Sequence, residues 1–322
     1  MTDESTMIDV MESRARRRVD RRDFFMRMGG SAFVAGATAL SSTAAEAQTA
    51  APTDNDILNF ALNLEYLEAQ FYSYASFGNG LDNTLLTGTG AQGGLQAFGA
   101  RAVPFQDPIV RQYAREIAND EIAHVKFLRQ ALTVNNVSAA VATPVIDISI
   151  NANGAFSSAA RSAKLITGPA STFDPYLNDE NFLLGAFIFE DVGVTAYKGA
   201  AGLLTNKTFL EAAAGILAVE AYHSSIVRTT LYGKGVAMPM LRANADAISD
   251  ARDSLDGTTD LDQGISPRDG ASNIVPLDKD GLAFSRTTGQ VLNIVYLNSM
   301  AVNGGGFFPN GVNGTIKASA AN

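Results

Sequence analysis

The chain of 322 residues is acidic, with 33 Asp and Glu against 24 Lys and Arg, and it holds no cysteine and no tryptophan. That composition excludes a disulfide framework and any thiolate metal site. A net charge of −9, with no basic patch beyond residue 47, argues against a nucleic-acid footprint. A hydrophobic content of 46% supports an ordinary globular core.

Residues 14–27 carry seven arginines, among them the pair Arg21-Arg22 followed by Asp23-Phe24-Phe25. A weakly apolar run from Gly29 to Leu40 and the small-x-small signal Ala45-Glu46-Ala47 follow. The pattern is that of a twin-arginine export peptide over residues 1–47, cleaved after Ala47, against the competing reading of a basic cytosolic tail. The run is too short and too rich in Gly and Ala for a membrane span, so no stable membrane insertion is expected. The expected partner of this segment is the twin-arginine export machinery, and the expected home is the periplasm or the cell exterior. That route carries folded proteins, which suits a cofactor inserted before export.

The first helix is expected from an Asp54 or Asp56 cap to Phe77, with a stripe of Ile57, Leu58, Phe60, Ala61, Leu64, Leu67, Phe71 and Tyr72. Gly78-Asn79-Gly80 ends it, and residues 78–107 read as a loop. Asp107 and Pro108 open a second helix that runs to about Leu132. Residues 133–177 form a long connection with one short strand expected at Val145–Ile150. Asn178 or Asp179 caps a third helix to Leu204, and Asn206 caps a fourth that stops at Gly233-Lys234-Gly235. A short turn forces antiparallel neighbours, and a long crossover permits a parallel one. The fold class is therefore all-α, a four-helix bundle over residues 48–235 with a long second-to-third crossover. Residues 236–322 are expected to pack on the bundle as a less regular extension. Within it, helices are expected at Pro239–Leu255 and Ser285–Leu297, and the turn at residues 304–311 should bury Phe307 and Phe308.

The chain has two histidines, and each follows a glutamate by three residues inside a helix: Glu121-Ile122-Ala123-His124 and Glu220-Ala221-Tyr222-His223. Residues i and i+3 lie about 60° apart and roughly 4.5 Å along the axis, so each pair shares a face. The upstream helices also match. Glu65 precedes Tyr72 by seven residues, and Glu190 precedes Tyr197 by the same interval. Arg129 and Arg228 recur at one spacing but turn away from the carboxylates, as structural ion-pairing residues would. The two hairpins thus share a pattern, as expected of halves related by a pseudo-twofold axis.

Buried carboxylates at like charge need a counter-cation. Two divalent ions would neutralise Glu65, Glu121, Glu190 and Glu220, with His124 and His223 completing the shell and Glu121 and Glu220 bridging. Oxygen and imidazole donors suit iron first, then manganese, with zinc compatible. Glu68, three residues after Glu65, is an alternate or additional ligand. Tyr72 and Tyr197 are candidates to hydrogen-bond the terminal carboxylates or to shuttle an electron. Asp120 and Asp191 either orient a histidine or lie on solvated faces.

The runs Asn63–Tyr72, Asp120–His124, Phe189–Tyr197 and Glu220–Arg228, with Phe307-Phe308-Pro309-Asn310-Gly311, resemble the ferritin-like group that contains desiccation-related and stress-responsive proteins. The resemblance spans residues 52–315 and implies a ferritin-like bundle with a carboxylate and histidine metal site. It implies little about the reaction, although the wider ferritin-like class includes ferroxidases, peroxidases and oxygenases; the leading expectation is chemistry with dioxygen, peroxide or ferrous iron in stress protection, of ferroxidase or peroxidase type. The alternative is a non-catalytic stress protein whose metals staple the bundle. An iron-storage cage is disfavoured by the length of the tail, and a smaller homo-oligomer is allowed.

Overall fold

In the computed structural model, which describes residues 51–135 and 137–322, the first helix, α1 (Asp54–Phe77), is capped by Thr53 instead of by an aspartate. The Thr53 hydroxyl accepts from the Asp56 N–H, and the Asp56 carboxylate returns a bond to the Thr53 N–H, a reciprocal capping box. The helix ends at Gly78, whose φ of 79° is left-handed and favours a residue without Cβ. The export signal expected over residues 1–47 lies outside the described residues. No described helix is long and apolar enough to cross a membrane.

Past α1 the chain makes a short strand, β1 (Leu95–Gln96), and then α2 (Pro108–Ala131), which starts as expected with Asp107 accepting from the Ile109 N–H. The crossover holds more structure than the sequence reading supplied. It contains a hairpin of β2 (Thr133–Val134) and β3 (Val137–Ser138). It then forms β4 (Ile146–Asp147), which pairs in parallel with β1, and α3 (Ala155–Ser162), which was not anticipated. The Asp147 carboxylate accepts from the N–H groups of Ser149 and Ala155, so one side chain closes the turn and starts α3.

The third bundle helix, α4 (Asp179–Ala201), begins at the Asn178 cap and stops three residues short of Leu204. The fourth, α5 (Lys207–Lys234), begins at Asn206 and runs through Gly233. Helix α1 packs along α2, α4 packs along α5, and the hairpins meet through α1 with α4 and α2 with α5.

The extension supplies α6 (Met240–Asp253) and α7 (Thr288–Val295). With the crossover it covers the outer faces of α1 and α4, which explains why these two helices are buried nearly all round while α2 and α5 keep a wet face. Asn63 ties α1 to the tail, donating to the Asn313 carbonyl and accepting from its N–H. Phe307 is fully buried and packs on Phe156 and Phe189, with ring centroids 5.2 and 4.9 Å away. Phe308 is buried beside Tyr296.

Candidate metal centre

Helical spacing brings seven acidic and imidazole side chains into the middle of the bundle. Helix α1 contributes Glu65 and Glu68, α2 contributes Glu121 and His124, α4 contributes Glu190, and α5 contributes Glu220 and His223, all of them buried. The two imidazole rings lie 6.4 Å apart between centroids. His124 Nδ1 is 3.2 Å from Glu65 Oε2, 3.5 Å from Glu121 Oε2 and 4.0 Å from Glu220 Oε1. His223 Nδ1 is 3.2 Å from Glu121 Oε1 and 3.5 Å from Glu190 Oε2.

Two sets of donor atoms emerge. Glu65, Glu121, His124 and Glu220 offer atoms within 4.8 Å of one another, and so do Glu190, Glu220 and His223. Glu220 belongs to both sets, and Glu121 points one oxygen at each histidine. Glu121 and Glu220 are therefore the two carboxylates that lie within reach of donor atoms on both sides of the cluster. Glu68 belongs to neither set, although it is buried against the same cluster. Glu65, not Glu68, is thus the α1 carboxylate that meets a histidine.

The tyrosines cross over. Tyr72 on α1 donates to Glu190 on α4, and Tyr197 on α4 donates to Glu65 on α1. Each phenol holds the glutamate of the opposite hairpin, which no single-helix spacing argument reveals. Asp120, just outside the cluster, approaches His223 Nε2 at 3.1 Å and is one of the two orienting carboxylates considered from sequence. Asp191 is the other, and it meets no histidine. It is not solvated either: it is buried, accepting from Ser224, Arg228 and Arg252. Arg228 is the structural ion-pairing residue expected, whereas Arg129 donates to the Tyr66 hydroxyl and the Thr87 carbonyl.

Two features were not read from sequence. Gly193 makes room for a ligand: a Cβ there would stand 2.1 Å from Glu220 Oε2. A glycine in a helix interior, three residues after a candidate ligand, was a readable signal of close approach. Arg252 and Arg286 form a buried network with Asp191, Asp256 and Asp262 that fastens the extension to α4, and no local pattern marks it.

The electrostatics of the cluster are those of a site short of positive charge. Burial pushes Glu65 up to about 7, and it pushes Glu68 and Glu220 well above the ordinary carboxylate range. Burial holds the imidazoles down, but the surrounding glutamates outweigh it and raise His124 to about 11 and His223 to about 12. Glu121 alone is lowered, because the two histidines it faces outweigh its burial. The donor atoms themselves remain unmatched. Among the described residues, the buried side-chain atoms with no hydrogen-bond partner are both oxygens of Glu121, both of Glu220, Glu190 Oε2, His223 Nδ1 and one serine hydroxyl. Six orphaned donor atoms within one buried cluster are what cations would satisfy, and the site fits such ions.

A family model described as "Ferritin-like domain" matches residues 53–233. The desiccation-related protein PCC13-62 of Craterostigma plantagineum is 31% identical over 80% of this chain and 82% of the relative. The ferritin-like catalase Nec2 of Nesocodon mauritianus is 30% identical over 82% of this chain and 84% of the relative. No solved structure matches the chain significantly.

Proposed function

Because the chain belongs to the ferritin-like family, with its all-α bundle, we propose that its buried cluster holds two divalent metal ions and disproportionates hydrogen peroxide. Glu65 and His124 would hold one ion and Glu190 and His223 the other, with Glu121 and Glu220 available to both. The observation that carries this reading is the convergence of orphaned donor atoms between the two histidines. Iron or manganese suits a donor set of carboxylate oxygen and imidazole nitrogen without sulfur. When bound, such a pair would supply redox-active centres for peroxide chemistry.

Disproportionation needs no outside electrons, since two peroxides yield two waters and one dioxygen. That suits a chain without the cysteines of a rubredoxin-like donor. The catalase name of one relative supports this choice over ferrous oxidation. Tyr72 and Tyr197 orient the terminal carboxylates. Asp120 takes the Nε2–H of His223, which fixes the tautomer and leaves the Nδ1 lone pair facing Glu121 and Glu190. Buried Leu64, Val192, Ile294, Val295 and Phe307 give the α1–α4 side of the cluster an apolar lining beside Glu68. Peroxide enters from the α2–α5 side, where Asp120 reaches solvent. Residues 1–47 direct the folded, loaded protein through the twin-arginine route to the periplasm or beyond.

The test is oxygen release from peroxide by the full-length protein loaded with Mn²⁺ or Fe²⁺, compared with chelated protein and with Glu65→Gln and Glu190→Gln. The reading expects release from loaded protein alone and a loss of at least about a hundredfold in each variant. The relative named for desiccation favours a second reading, in which the metals only staple the bundle. Variants with unchanged oxygen release and a lowered melting temperature would establish the staple and remove the enzyme.

A further inference from the structure

The two halves of the centre are related by constant sequence offsets, and the offsets expose where the symmetry fails. Glu65, Tyr72, Glu121 and His124 correspond to Glu190, Tyr197, Glu220 and His223. By the same offsets Asp120 corresponds to Val219, and Glu68 corresponds to Gly193. Asp120 lies 3.1 Å from His223 Nε2. Val219 has no acceptor to offer His124, whose only hydrogen-bond contact among the described residues is through Nδ1, to Glu65. Only one imidazole therefore has a carboxylate behind it.

The second break is at Glu68, a buried residue whose counterpart Gly193 has no side chain. Glu220 fills the space that Gly193 leaves. An imidazole backed by a carboxylate is held in one tautomer and is a stronger donor.

We propose that the halves bind cations unequally: the Glu190–His223 half takes the first ion and retains it, and the Glu65–His124 half takes the second, weaker and exchangeable ion. The proposal rests on the two-metal reading. Its test is calorimetric titration of Mn²⁺ into the chelated full-length protein. Two binding phases are expected, separated by tenfold or more. Asp120→Asn weakens the tight phase by ten- to a hundredfold and leaves the weak phase in place. Val219→Asp, which gives His124 the acceptor it lacks, tightens the weak phase. Asp120 is partly exposed, and its Asn variant is isosteric, so folding is retained. In crystals grown with one equivalent of Mn²⁺, the anomalous peak lies beside His223. A first ion beside His124, or an Asp120→Asn variant with both phases unchanged, overturns the proposal. Two ions bound with equal affinity overturn it and leave the two-metal reading intact. Fewer than two ions per chain overturn both.

Discussion

Gly193→Ala adds one methyl group next to the centre and no charge. The new Cβ would lie 2.1 Å from Glu220 Oε2 and 2.8 Å from its Cδ. Ordinary non-bonded contact is about 3.5 Å, so the carboxylate must retreat by more than about 1 Å. Metal–oxygen bonds near about 2 Å cannot survive such a retreat. The displaced atoms are the free end of a flexible side chain, so the fold absorbs the change. Alanine also gains roughly 0.5–1 kcal/mol over glycine in a helix interior. The metal-free variant is therefore expected to melt within a few degrees of the metal-free wild type. The difference emerges on loading. At about a hundredfold excess of metal over Kd, binding stabilises by about 2.7 kcal/mol, which for a domain of this size is on the order of 5–10 °C. Wild type should show that rise in differential scanning calorimetry, and Gly193→Ala should show most of it lost, with fewer than two ions bound. A variant that binds two ions and keeps the full rise would refute the placement of Glu220 as a shared ligand.

Three further outcomes follow from the packing and the charges. In metal-free protein, Glu65 sits at about 7 against an unfolded value near 4.5, and Glu68, Glu190 and Glu220 are raised as well. The folded state therefore holds more protons than the unfolded state in that window. The stability these groups contribute is present below about pH 4.5 and lost as pH rises through about 7. His124 and His223, raised to about 11 and about 12, act in the same sense above about pH 6.5. The melting temperature of the metal-free protein should fall from about pH 5 to about pH 8, while that of loaded protein falls less; a rise for metal-free protein would contradict the assignment. Phe307→Ala empties a fully buried ring position between Phe156 and Phe189 and should cost about 3–5 kcal/mol in urea unfolding; a cost below about 1 kcal/mol would mean the extension is not part of the core. Arg228→Met leaves the backbone carbonyls of Gln263, Asn273 and Ile274 without a donor, takes one of two from Gly264, and should cost about 3–5 kcal/mol by the same assay. A surface-like effect below about 0.5 kcal/mol would contradict its place in the buried network.

The bundle was legible because its signals are local. Asp107 with Pro108, Asn178 and Asn206 each mark a helix start by cap chemistry alone. The ligand-type side chains were legible because two histidines at Glu-x-x-His spacing leave few alternatives. The crossed tyrosine bonds were not legible, since Tyr72 and Glu190 are 118 residues apart and spacing within one helix says nothing of the facing one. Asp191 misled for a similar reason. A carboxylate one residue from a ligand reads as solvated until Arg252, from the extension, is known to reach it. The crossover helix α3 is eight residues long and follows Gly154, which has no side chain to cap it; its first N–H is held by Asp147, eight residues upstream, so no local start signal marks it. The charged network of the extension joins residues distant in sequence, and only the closed structure brings them together.

The central claim is that six side chains from four helices hold two cations. Elemental analysis of the full-length protein, purified from its native compartment without chelator, tests it most directly. The account predicts two iron or manganese ions per chain, and none in the His124→Ala/His223→Ala double variant. A native protein carrying fewer than one ion per chain, or a double variant that keeps two, would contradict it.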